Sequence, residues 1–147
     1  WKTRYPDLQV VGSGVLKVFF MELYNLTLHS KERNYSASDQ FALEFEYKKS
    51  VSKKTIIDAS MDELSKVPDV GSVELKAWKQ ILEKGISNMH AGEKASVVFS
   101  KSGNVEFWSE NRKFISFQDL KFAKNFAAIW LGPKTSHPKL RLALLGK

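Results

Sequence analysis

Phe41-Ala42-Leu43-Glu44-Phe45-Glu46-Tyr47 is the stretch that decides how the rest of the chain is read. Large apolar side chains fall on the odd positions and small or charged ones on the even positions. A period of two is that of a β-strand with one face on a core and the other toward water. Such a strand belongs to an antiparallel sheet covered on one side.

Toward the N-terminus, Leu23 to Ser30 and Val15 to Met21 are rich in β-branched, aromatic and leucine residues and read as strands. Ahead of them, Gly12-Ser13-Gly14 marks a bend or bulge, and Trp1 to Pro6 reads as an irregular lead-in. Lys31 to Ser38 is a polar loop. Beyond Tyr47 the period changes. Ser52 is expected to cap a helix carrying Ile56, Ile57, Ser60 and Leu64. Pro68 to Gly71 breaks the chain, and Ser72 is expected to cap a second helix with Leu75, Trp78, Ile81, Leu82 and Ile86 as its apolar stripe.

Ala95 to Ser100 and Val105 to Trp108 form a hairpin through Lys101-Ser102-Gly103-Asn104, and Arg112 to Ser116 is a further strand after a turn at Glu110-Asn111. Phe117 to Leu131 has the stripe of a third helix, stopped by Gly132-Pro133. His137 to Leu145 is a last helix with Pro138 at its start. Strands, two helices, strands, two helices: this order predicts an α+β fold, one domain over residues 1–147, with helices packed on one face of an antiparallel sheet.

The chain has no cysteine, which removes disulfides, thiolate metal sites and a cysteine nucleophile. No apolar run reaches the ~18 residues of a membrane-spanning helix. The net charge of +7 is scattered as lysines along the sequence. Its densest cluster, Lys48, Lys49, Lys53 and Lys54, has no interleaved aromatics on which bases could stack, so nucleic acid is not an expected partner.

Catalytic constellations are missing. His29, His90 and His137 have no companion at metal-ligand spacing. There is no G-x-S-x-G elbow, P-loop or EF-hand loop. Glu44 and Glu46 alternate with Phe45 and fall on the wet face of their strand. The large number of aromatics points to sheet–helix packing, and a sheet roofed by helices readily leaves an apolar cleft between its layers.

Three segments together resemble the chalcone isomerase-like family, in particular its bacterial branch. They are Gly12-Ser13-Gly14-Val15-Leu16-Lys17-Val18-Phe19-Phe20 with Leu23-Tyr24 and Leu26 to His29; Phe41 to Tyr47; and Phe122-Ala123-Lys124-Asn125-Phe126-Ala127-Ala128-Ile129-Trp130-Leu131-Gly132 with Leu140-Arg141-Leu142-Ala143-Leu144-Leu145-Gly146. The resemblance implies an open-faced β-sandwich and, for the bacterial branch, an exported periplasmic protein whose leader is absent from this chain. Family members include isomerases, fatty-acid binders and proteins without a catalytic role. In the first two, an arginine follows G-x-G-V and holds an anionic oxygen; here that position is Leu16. Leucine donates no hydrogen bond and stabilises no negative charge.

The expectation is therefore a non-catalytic binding protein, with no catalytic residues, no metal site and no obligatory cofactor. Its ligand is expected to be small and apolar or amphipathic, like a fatty acid or haem, in a cleft lined by Leu16, Phe20, Tyr24, His29 and Trp130. Two alternatives stand beside it. One is an isomerase or lyase using residues other than the family's, for example a Tyr24–His29 pair. The other is a module for a protein partner, with a filled core and an apolar patch exposed on the sheet.

Overall fold

The computed structural model describes residues 1–110 and 112–147. Six strands form one antiparallel sheet in sequence order: β1 (Gln9–Val18), β2 (Met21–Ser30), β3 (Phe41–Tyr47), β4 (Lys94–Phe99), β5 (Asn104–Ser109) and β6 (Arg112–Gln118). Helices α1 (Lys53–Ser65) and α2 (Ser72–Gly85) connect β3 to β4, and α3 (Leu120–Leu131) and α4 (Pro138–Leu144) follow β6. The architecture is α+β, as the strand and helix order predicts.

The alternation in β3 works as read. Phe41, Leu43, Phe45 and Tyr47 are buried in the main core with Trp78 and Leu82 of α2 and Phe122, Phe126 and Trp130 of α3. Aromatic rings meet edge-on or stacked through this layer, as in Phe126–Trp130 and Phe122–Phe126 respectively.

The opposite face departs from the sequence reading. Its centre is covered by the lead-in segment: Trp1 and Leu8 pack with Ala42 and Val98 in a second, smaller cluster. Glu44 and Glu106 point to this side and are largely covered. Glu106 Oε1 accepts from Tyr5 Oη at 2.8 Å and from Trp108 Nε1 at 3.0 Å.

Helix starts differ where a better cap was available. Ser52 caps α1 as expected, its Oγ accepting from the Thr55 N–H at 3.1 Å. In α2 the cap is Gly71 rather than Ser72, because Glu74 reaches back to accept from the Gly71 N–H at 3.2 Å. Helix α3 starts at Leu120, not Phe117. Asp119 accepts from the Phe122 N–H at 3.0 Å, while Phe117 and Gln118 stay paired with Val105 and Asn104 in β6.

The strand expected over Val15 to Met21 breaks at Phe19-Phe20, which forms the two-residue turn between β1 and β2. The turn expected at Glu110-Asn111 falls on Asn111, which lies outside the described residues. At Gly12 the β1–β2 register shifts and α4 comes close: a Cβ there would strike the carbonyl oxygens of Ala143 and Leu144.

Candidate functional site

A cavity of about 220 Å³ lies between the sheet and the helices. Strands β1, β2 and β3 place Leu16, Tyr24 and Tyr47 in one cross-strand row, since Leu16 is paired with Tyr24 and Tyr24 with Tyr47. All three line the cavity, facing Trp130 of α3 and Ile56 and Ser60 of α1. Val18 and Leu23, close in sequence to the β1–β2 turn, also line it. Glu63 and His137 are its ionisable lining groups, and no lysine or arginine lines it.

Its polar lining includes two phenols and an indole, with Thr55, Ser60, Glu63, Ser87, Ser96 and His137 beside them. Trp130 Nε1 donates to Tyr24 Oη at 2.9 Å. Tyr24 therefore keeps its own proton for an acceptor in the cavity. The Tyr24 and Tyr47 rings lie 5.4 Å apart. Burial pushes both phenols above the ordinary tyrosine value, and for Tyr24 the Trp130 hydrogen bond opposes that shift only in part. At neutral pH both are uncharged hydrogen-bonding groups.

The five residues expected in the cleft divide. Leu16, Tyr24 and Trp130 line it. Phe20 does not: it sits in the β1–β2 turn with its whole side chain in solvent, because the chain reverses there instead of continuing as a strand. His29 does not either. It lies an odd number of residues from Tyr24 on the same strand and faces the other side of the sheet. There its Nε2 meets Glu44 Oε1 at 3.1 Å and its ring packs edge-on against Trp1 at 4.8 Å. The Tyr24–His29 pair is thus not formed, and a haem in the cleft has no axial ligand at His29. Among the described residues no three histidine, aspartate or glutamate side chains gather where a metal would be held. Among the described residues no helix is long and apolar enough to cross a membrane.

Tyr47 and His137 line the cavity as well, beyond the five expected residues. The β3 alternation already placed Tyr47 on the buried face, and its hydroxyl is the only polar group in that apolar row. His137 carried no sequence signal; it reaches the cavity edge because α4 folds back onto β1.

A family model described as chalcone isomerase-like matches residues 2–146. No curated protein sequence matches the chain. Among solved structures, a fatty-acid binding protein from Arabidopsis thaliana superimposes with a TM-score of 0.73 at 10% identity, covering 95% of this chain and 87% of that one. At that identity the likeness is one of fold.

Proposed function

The chain belongs to the chalcone isomerase-like family, and from that premise we propose that it is a binding protein without isomerase activity. Its ligand is a small apolar or amphipathic molecule whose polar end is uncharged. The observation that carries this reading is the cavity's composition: mostly apolar walls, two phenol hydroxyls and, among the described residues, no lysine or arginine.

A carboxylate moved into such a site loses its hydration with no lysine or arginine to replace it, a cost of several kcal/mol or more. An alcohol, aldehyde or ketone needs only hydrogen bonds, which Tyr24 and Tyr47 supply. At about 220 Å³ the cavity is smaller than the ~300–1,000 Å³ of drug-sized sites, so a slender ligand fits better than a macrocycle. Proton transfer through the two phenols is disfavoured because both titrate far above neutral pH, whereas a general acid or base works best near it.

The fatty-acid binding protein of the same fold supports a lipid-like ligand. Leu16 in place of the arginine expected from the family pattern favours a neutral relative of a fatty acid over the fatty-acid anion. In this proposal the protein works in the periplasm, as an exported member of the bacterial branch.

Native mass spectrometry of the purified, tag-free protein tests the reading, with lipid extraction and with added 1-decanol. A bound neutral lipid, or one decanol per chain, is the expected result. A bare mass that takes up no decanol contradicts it.

A further inference from the structure

The β1–β2 turn breaks two rules at once. Val18 and Met21 pair across it, leaving Phe19 and Phe20 as its two central residues. Both have positive φ, 50° and 67°. Hairpin turns of this kind select Asn-Gly or similar pairs, because bulky side chains are strained there. Both phenyl rings are also almost wholly in solvent, 91% and 101% exposed, with Met21 half exposed beside them. Strain and exposure together at one tip mark a contact surface rather than a packing element.

The base of the turn is basic. Lys17 and Lys48 flank the single carboxylate Glu22, at 3.9 and 2.7 Å. Lys49 follows Lys48, which is tied to β2 by its N–H to the Leu23 carbonyl. Lys139 borders the same groove as Lys17 and Glu22. Two protruding aromatics above this excess of lysine match a lipid surface in two layers: acyl chains for the rings, anionic headgroups for the ammonium groups.

We propose that the Phe19–Phe20 turn is a finger that inserts into anionic lipid surfaces. It holds the protein with Val18 and Leu23, which line the cavity, on the membrane side. Membrane docking is independent of which ligand the cavity takes, and each is tested without the other.

The test is flotation of the full chain with vesicles of phosphatidylcholine, alone or with 30% phosphatidylglycerol on the order of that used to mimic an anionic leaflet. Wild type is expected to float with the anionic vesicles and to be released by salt. Lys48→Gln/Lys49→Gln should weaken partitioning by roughly fivefold per lysine. Phe19→Asn/Phe20→Gly places a favoured pair in the turn, so it should melt no lower than wild type and yet lose partitioning by about tenfold or more per ring. If wild type stays unbound, or the Asn-Gly variant floats as well as wild type, the proposal is overturned. A wild-type dimer that the Asn-Gly variant dissolves, without vesicle binding, overturns it equally by assigning the finger to a second copy of the chain.

Discussion

Leu16 stands directly opposite Tyr24 in the β1–β2 ladder, and both side chains face the cavity. A cation at position 16 would therefore act on the same ligand atom that Tyr24 reaches. Leucine there leaves hydrogen bonding as the cavity's means of recognising a polar end.

Leu16→Arg should convert the preference. The empty variant carries a charge with no partner in a buried position, so it should lose about 3 kcal/mol or more of stability in urea unfolding. Added decanoate should restore stability by mass action, while decanol should not. A variant as stable as wild type and indifferent to decanoate would mean that residue 16 points elsewhere.

The Trp130–Tyr24 hydrogen bond joins helix α3 to strand β2 across the cavity. Tyr24→Phe strands the indole N–H, and a buried donor without an acceptor costs about 1–3 kcal/mol. Trp130→Phe removes the donor and part of the cavity wall. A double-mutant cycle of the two in urea should show a coupling energy of about 1 kcal/mol; additive effects would show that the bond contributes nothing.

Gly12→Ala should be among the most harmful small substitutions in the chain. The added methyl strikes backbone carbonyls of Ala143 and Leu144, which have no side-chain freedom with which to yield. Either α4 lifts from β1 or the bulge shifts, for a loss of about 1–3 kcal/mol. Gly71→Ala, where nothing lies within 4 Å of the new methyl, should cost far less; thermal melts of the pair decide it.

On the outer face, the hydrogen bond from His29 is the main cause holding the Glu44 carboxyl down at about 2, against an ordinary value of 4.5, with Lys2 assisting. A carboxyl with a lowered folded-state pKa contributes stability that is fully present above its unfolded value. That stability is lost as pH falls through the folded one. Wild type should thus lose stability between about pH 4.5 and 2, and Glu44→Gln should lose less over the same interval. Urea midpoints measured across that window check it.

Much of the fold was legible because β3 alternates cleanly and the helices carry regular stripes. What escaped notice has physical reasons. The Phe19-Phe20 turn lacks every residue that announces a turn, so the strand pattern ran straight through it. Asp119 hid the start of α3 because Phe117, a strand residue, continues the helix's apolar spacing backward. In the site, Leu16, Tyr24 and Trp130 came from the family pattern. His29 was expected there too, but parity rules it out, since positions 24 and 29 of one strand face opposite sides. Tyr47 was equally available from parity, as the polar end of an apolar row. The covering of the sheet by Trp1 and Leu8 is a long-range contact that no local pattern encodes.

The central claim is that the cavity takes an uncharged polar end in preference to a carboxylate. Isothermal titration with 1-decanol and with decanoate, near pH 8 and below their aggregation limits, tests it most directly. The account predicts one saturable site for decanol and affinity for decanoate at least tenfold weaker, with decanol binding reduced in Tyr24→Phe/Tyr47→Phe. Decanoate binding as tightly as decanol, or decanol binding untouched by loss of both hydroxyls, would contradict it.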